Sequence, residues 1–363
     1  MSKRIVKKRS RSKKAAKVVI SIVLVLALVA GGVSLYVSNL FGRLHRQELN
    51  ETNLNIYDDP NDIMWKYHND VKNYILFGTD ARMVTQQSRS DVMILLSVNF
   101  SSKTIKMVSL QRDLYVKVRN SYTKMSHAYF YGGPELAVAT VNNAFKLNIE
   151  DFISVNFFGV ADFIDYIGGV ELEITEAERN NLNHNIIEQA GHGMNGDKVT
   201  QSGKVRLNGS QAVAYARIRM IDSDFERGNR QRKVIMAAFE SVKTMGVSSI
   251  DGVMRKGMEL CSTSLTNSEI LSLGSWLVSN MNDVKFESAS CPGTLIGYRF
   301  ETIDGLSYVT CNMDRAASVL KDFLYDQETE DVPVPIERSN TAGDAGTDTG
   351  TDTGGDQSGQ PSA

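Results

Sequence analysis

The chain reads as an α/β protein with a three-layer, α-β-α-like build: a central mixed β-sheet flanked by helices. Three observations predict this. Asn73–Gly78 (N-Y-I-L-F-G) and Val92–Val98 (V-M-I-L-L-S-V) are short, nearly continuous apolar runs, as in strands buried on both faces. Runs of this kind alternate with stretches of helical period along about 255 residues, enough for a sizeable core. Charged residues recur where successive runs end, at Asp80, Arg112 and Asp113.

In chain order, Thr104–Leu110 alternates like a half-buried strand. Pro134 follows Gly132-Gly133 and opens an apolar-periodic helix to Phe145. Phe152–Phe157 reads as a strand, Val160–Ile167 as a helix ended by Gly168-Gly169, and Val170–Ile174 as a further strand. Glu176–Thr200 is polar, with Gly191, Gly193 and Gly196, and reads as a long surface excursion. Val213–Arg219 reads as a strand and Asn229–Met245 as a helix. Ile250–Cys261, Ser268–Met281 and Arg315–Leu324 complete the helical set. There is no internal repeat.

The ends of the chain differ from its body. Met1–Lys17 carries nine Lys or Arg and no acid, and Val18–Val37 is twenty residues without a charge. At ~1.5 Å per residue that run spans a hydrocarbon core of about 30 Å. It exceeds a signal-peptide apolar region of roughly 7–15 residues, so one uncleaved transmembrane signal-anchor over residues 18–38 is expected. The basic tail, residues 1–17, stays cytoplasmic by the positive-inside rule and the remainder lies outside a cell membrane. Residues 39–72 are expected to form a stalk and 73–327 the domain. Residues 328–363 form a Gly/Thr/Asp-rich tail with too few apolar side chains to offset ordering.

The whole chain has 40 basic and 42 acidic residues; without the nine tail cations the balance is 31 to 42. The outer part is therefore mildly acidic, its arginine clusters are local features, and no nucleic-acid partner is expected for it, since the basic footprint is missing. The densest cluster lies in Arg206–Gln231. Arg217 and Arg219, two apart, share a face if the backbone is extended. Arg227, Arg230 and Gln231 share a helix face. Guanidinium forks match phosphate oxygens, so convergence would make a site for a doubly charged ligand such as pyrophosphate. The plainer alternative is a solvated, salt-bridged helix face.

Upstream, Gly78-Thr79-Asp80-Ala81-Arg82 follows the first buried run, Ser90-Asp91 opens the second, and Gln111-Arg112-Asp113 follows the third. Ligands of α/β sheets collect where strands end. Asp80 and Asp91, facing across neighbouring strands, suit Mg²⁺, with Mn²⁺ as the other candidate ion. Each feature alone reads as a turn or cap; the repetition carries the signal.

These stretches resemble the LytR–CpsA–Psr family of bacterial cell-wall enzymes. The matching pieces are N-Y-I-L-F-G-T-D-A-R (73–82), R-S-D-V-M-I-L-L-S-V (89–98), V-S-L-Q-R-D-L-Y-V (108–116) and Y-G-G-P-E-L (131–136). They continue with V-N-F-F-G-V-A-D-F-I-D-Y-I-G-G-V-E-L (155–172), L-N-G-S-Q-A-V-A-Y-A-R-I-R (207–219) and D-F-E-R-G-N-R-Q (224–231), in the family's order. The resemblance covers roughly residues 70–245 and implies one domain to about residue 327.

It also implies transfer of a glycopolymer, such as wall teichoic acid or capsular polysaccharide, from an undecaprenyl-pyrophosphate carrier to peptidoglycan. The setting would be the outer membrane face of a Gram-positive-type envelope. Carried over, Asp80 and Asp91 would hold Mg²⁺. Arg82, Arg112, Arg217, Arg219 and Arg227 would clamp the pyrophosphate, with Gln231 nearby. Asp91, Arg112, Arg219 and Arg82 would act catalytically, Asp91 being favoured over Asp113 as proton acceptor. Gln111, Val92 and Ser126 stand where the family commonly has Pro, Thr and Asn; none of these changes removes a charge.

The histidines show no metal spacing, and zinc, Gly-Lys-Ser/Thr and G-x-S-x-G patterns are missing. Cys291 and Cys311 flank a segment with the look of a hairpin that could pair them in a disulfide; buried free thiols are the alternative. Two other functions compete: a membrane-bound transcriptional attenuator, and a prenyl-pyrophosphate-binding protein that does not transfer.

Overall fold

The structure, a computed structural model, describes residues 39–81 and 88–327. The predicted transmembrane segment, the basic tail, Arg82 and the polar tail lie outside these residues. Among the described residues no helix is long and apolar enough to cross a membrane.

The elements in chain order are β1 (His45–Arg46), α1 (Ile63–Lys66), β2 (Val71–Thr79), β3 (Ser90–Asn99), β4 (Thr104–Leu110), β5 (Tyr115–Val118) and β6 (Ser121–Lys124). Then come α2 (Ser126–Phe145), β7 (Asp151–Asn156), α3 (Phe157–Tyr166), β8 (Val170–Ile174), α4 (Glu176–Ala190), β9 (Gly203–Leu207) and α5 (Gly209–Ala216). The last are α6 (Asp224–Met245), α7 (Ile250–Leu260), β10 (Cys261–Thr263), α8 (Asn267–Asn280), β11 (Lys285–Cys291), β12 (Arg299–Ile303), β13 (Leu306–Thr310) and α9 (Met313–Leu324).

Seven strands form the central sheet in the order β1-β10-β7-β2-β3-β4-β11. It is mixed: β2 runs parallel to β7 and antiparallel to β3, while β4 runs antiparallel to β3 and parallel to β11. Strands β7, β2, β4 and β11 therefore all end at one edge, where β3 begins. Apart from Val213–Arg219, the expected strands fall within or beside these elements, and Thr104–Leu110 matches β4. Both faces of β2 and β3 are covered, which is why their sequences are nearly continuous in apolar residues.

One face packs on α2 and α9. There Ile75, Phe77, Leu95, Phe145 and Phe152 are fully buried. Helix α2 breaks at Gly132-Gly133, where Gly133 takes φ +63°, so the predicted start at Pro134 is the start of its second half. The other face carries α6, α7 and α8. A second core joins β8 and β9 to α3–α6 around Tyr215, Leu182 and Ile164.

Four expectations are corrected. Val213–Arg219 is not a strand: Gly209–Ala216 is helical, started by a reciprocal Asn208–Gln211 capping box. The V-A-Y-A alternation also suits a short alanine-rich helix, and the cap decides. Glu176–Thr200 is not all excursion: α4 is a polar helix with its own Thr175–Glu178 capping box. Residues 39–72 are no free stalk, because Leu40, Leu54 and Met64 are buried and β1 pairs with β10. Cys291 and Cys311 are free thiols. Cys291 sits inside the α2–α9 core with its Sγ toward the Ala316 carbonyl, and Cys311 faces Met313. Burial pushes both thiols up, that of Cys311 to about 11.

Candidate active site

The strand ends gather charge. Asp91 is the second residue of β3, and Arg112 follows β4 by two residues. Arg112 Nη1 donates to Asp91 Oδ1 at 2.6 Å. Its Nε lies 3.5 Å from Asp113 Oδ2 and 3.7 Å from Asp224 Oδ2. Asp224 opens α6 behind the Ser223 cap. Its Oδ1 lies 3.4 Å from Arg227 Nη1 and 3.8 Å from Arg219 Nε. Lys124 Nζ ends the network on the other side, 2.9 Å from Asp113 Oδ1.

Helix α6 reaches the sheet because position 228 is glycine. A Cβ there would sit 3.1 Å from Ser109 Oγ on β4. This close approach sets Arg227 beside Arg112.

The cations at this edge are under-satisfied. Arg227 has only 7% of its side chain exposed. Burial, reinforced by repulsion from Arg112, pulls its guanidinium down to about 10. It remains charged at neutral pH. Its Nε and Nη1 find no hydrogen-bond partner, nor does Nε of Arg112; Asp224 is within ion-pair distance of Arg227 Nη1 and Arg112 Nε without a hydrogen bond to either. A buried unmade donor costs roughly 1–3 kcal/mol, more when charged, and an anion placed here recovers that cost. For Arg112, burial pulls downward, but Asp113, Asp91 and Asp224 outweigh it and hold the cation above its ordinary value.

Of the expected site residues, Asp91, Arg112, Arg219 and Arg227 come together. Asp80 is exposed at the end of β2, one strand over from Asp91. Arg217 caps the C-terminus of α5 and lies 5.6 Å over the Phe157 ring, where β7 passes into α3. That places it near the same sheet edge, outside the ion-pair network. Gln231 sits one turn beyond Arg227, and its amide reaches the Ala216 carbonyl at 3.5 Å. Arg230 turns away from the cluster: it grips both oxygens of Asp222 and donates to Glu178 at 2.9 Å, tying α6 to α4. Arg82 lies outside the described residues.

Sequence reasoning missed Asp224 as the carboxylate common to three arginines. The available signal was its place three residues before Arg227 on one helix. It also missed Lys124, and Arg232, which is buried on α6 and donates to Ser109. Burial pulls Arg232 down to about 10 as well. His127 shares a hydrogen bond with Thr123, and burial, with Arg89 and Lys124 nearby, lowers its pKa.

An α/β sheet that brings arginines and carboxylates to its strand ends, with buried cationic donors left over, presents an edge suited to a phosphate ester or pyrophosphate. The chain belongs to the LytR_cpsA_psr family, whose model matches residues 40–323.

Among curated proteins it is 27% identical over 334 residues to the polyisoprenyl-teichoic acid–peptidoglycan teichoic acid transferase TagT of Bacillus subtilis, covering 88% of this chain and 97% of that one. A solved structure of TagT bound to LI-WTA superposes with a TM-score of 0.59 at 26% identity, covering 77% of this chain and 98% of that chain. A TagT structure with bound octaprenyl pyrophosphate lipid shares the fold, with a TM-score of 0.56 at 24% identity and coverage of 77% and 98%.

Proposed function

We propose that this protein transfers a glycopolymer, such as wall teichoic acid or a capsular polysaccharide, from an undecaprenyl-pyrophosphate carrier to peptidoglycan. The observation that carries the reading is the Asp91–Arg112–Asp224–Arg219–Arg227 network with its unpartnered guanidinium donors. The match over 88% of this chain to a relative named for that reaction supports it.

Phosphoryl transfer asks a protein chiefly for positioning and charge neutralisation. Arg112, Arg219 and Arg227 take the pyrophosphate oxygens, Arg217 extends the clamp along the sheet edge, and the family resemblance adds Arg82 to it. A sugar hydroxyl of the acceptor attacks the phosphorus that bears the glycopolymer. The bond from that phosphorus to the oxygen of prenyl phosphate breaks, and undecaprenyl phosphate leaves. Asp91 accepts the hydroxyl proton, and the arginines stabilise the charge gathering on the leaving phosphate. Gln231 anchors α6 to the end of α5 and so keeps Arg227 in place.

The donor set fits Mg²⁺, with Mn²⁺ as the other hard ion of choice. Asp80 and Asp91 offer hard carboxylate oxygens at neighbouring strand ends. Among the described residues no three metal-ligating side chains come together, so phosphate and water would complete the shell, as is usual for Mg²⁺. When bound, the ion would neutralise phosphate charge.

The prenyl chain lies between the sheet and α6–α8. Leu76, Leu96, Ile153 and Val155 point to that side and stay only partly covered. An anchor at Val18–Val37 would hold the domain at the outer membrane surface, where such a carrier resides.

The test is a transfer assay with labelled prenyl-pyrophosphate-linked sugar, a peptidoglycan oligomer and Mg²⁺, for wild type beside Asp91→Ala and Arg219→Ala. Label on peptidoglycan, lost in both variants, supports the reading. Label that stays on lipid in the wild type, with binding intact, indicates a carrier-binding protein instead.

A further inference from the structure

The ribbon formed by β5 and β6 leaves the catalytic edge with an unusual outer face. Its register pairs Tyr115 with Lys124 and Lys117 with Tyr122, so these four side chains share one face. Val116 and Val118, on the other face, are buried in the α2–α9 core. Tyr115 and Tyr122 lie 5.3 Å apart, and Tyr308 of β13 meets Tyr115 edge-on at 4.8 Å. Lys124 lies 5.8 Å over the Tyr308 ring. Tyr122 is 60% exposed and Lys117 is exposed beside it. Rigid aromatic rings with polar tips, set among cations, make a recognition surface for ligands with apolar ring faces and anionic groups.

The ribbon is wired to the reacting centre. Lys124 holds Asp113, Asp113 neighbours Arg112, and Arg112 holds Asp91. The β12–β13 hairpin that carries Tyr308 docks on the same segment through the Val309 N–H, which donates to the Asp113 carbonyl at 2.9 Å.

The side of the sheet matters most. The apolar slot for the prenyl chain is on the α6–α8 side, whereas the ribbon packs on the α2 side. In a phosphoryl transfer the attacking and leaving oxygens stand roughly in line across the phosphorus. The acceptor must therefore approach from the side away from the departing prenyl phosphate, and the ribbon lies there.

We propose that the outer face of β5–β6, capped by Tyr308, is the acceptor subsite. It seats a glycan strand that carries carboxylates, with sugar rings on Tyr115 and Tyr122 and a carboxylate at Lys117. This rests on the transferase reading above. Neither Tyr122 nor Lys117 belongs to the phosphate cluster.

The experiment uses the full chain in lipid vesicles, with Tyr122→Ala, Lys117→Glu and Lys117→Arg. Three quantities are read: acceptor KM against kcat with a soluble peptidoglycan oligomer, affinity for octaprenyl pyrophosphate, and co-sedimentation with purified sacculi. The expected result is an acceptor KM raised about fivefold or more in Tyr122→Ala and Lys117→Glu, as for loss of an interface anchor. Saturated kcat and octaprenyl pyrophosphate affinity stay unchanged, co-sedimentation falls, and Lys117→Arg behaves as wild type. Unchanged KM and co-sedimentation in both damaging variants overturns the proposal. Weakened prenyl-pyrophosphate binding overturns it too, because the ribbon then serves the donor. If the wild type transfers nothing, the transferase reading fails, and sacculus co-sedimentation of wild type against the variants still decides the subsite.

Discussion

The two faces of the central sheet are built differently. On the α2–α9 face, large side chains such as Phe145, Phe152, Phe77 and Leu95 are sealed from solvent. On the other face, α8 carries Ile270, Leu271, Leu273, Trp276, Leu277 and Val278, yet none of its residues is fully buried. In α7 only Met258 is. The sheet strands beneath are equally apolar on both sides. What differs is closure: one face is sealed, and the other keeps a half-covered apolar layer, which the proposed function assigns to the lipid chain. The phosphate cluster sits at the edge where this open face ends.

That contrast can be broken by mutation. The largest effect is expected on the sealed face, where Phe145→Ala costs about 3–5 kcal/mol by cavity formation. Denaturant unfolding would read it, while transfer per folded molecule stays as in wild type. At the edge, Arg227→Ala should lower transfer by about 10²–10³-fold, the usual loss for a preorganised donor to a developing anion. Its unfolding free energy should fall by no more than about 1 kcal/mol, since the residue removed is itself a buried, unsatisfied charge. On the open face, Leu76→Trp should fill the slot. Octaprenyl pyrophosphate then binds less tightly, while a short-chain analogue such as geranyl pyrophosphate binds as before; equal losses for both would place the chain elsewhere.

The sheet was legible in the sequence because strands buried on both faces leave long apolar runs. Asn73–Gly78 and Val92–Val98 could be little else. The face that would stay loose was not legible, since the six large apolar residues of α8 look the same whether they are buried or half-covered. Val213–Arg219 was misread because its alternation suits a strand, whereas the Asn208–Gln211 cap and the alanines make a helix. That error misplaced the backbone of Arg217 and Arg219 but not their neighbourhood. Asp91 and Arg112 were legible from their repeated position at strand ends. Asp224 was hidden because the helix was expected over Asn229–Met245, which left Asp224 in a turn, whereas the helix begins at Asp224 itself.

The smallest effect concerns the tie between α4 and α6. Burial works against the Glu178 carboxylate, but the Thr175 backbone N–H and Arg230 outweigh it and hold its pKa below the ordinary glutamate value of 4.5. The stability this contributes is present above 4.5 and is lost as pH falls through the lower, folded-state pKa. Glu178→Gln should flatten that acid limb in thermal unfolding curves and leave the alkaline limb unchanged. An unaltered acid limb would mean that Arg230 draws its support from Asp222 alone.

The most direct test of the central claim is thermal unfolding of the described domain, residues 39–327, titrated with octaprenyl pyrophosphate. Wild type and Arg227→Ala would be run side by side. Ligand that binds only the folded state raises the midpoint in proportion to the logarithm of its excess over Kd. Wild type should gain several degrees, and Arg227→Ala, starting from nearly the same midpoint, should gain almost nothing. Equal gains in the two proteins would contradict the account, because the buried arginine would then not be holding the pyrophosphate.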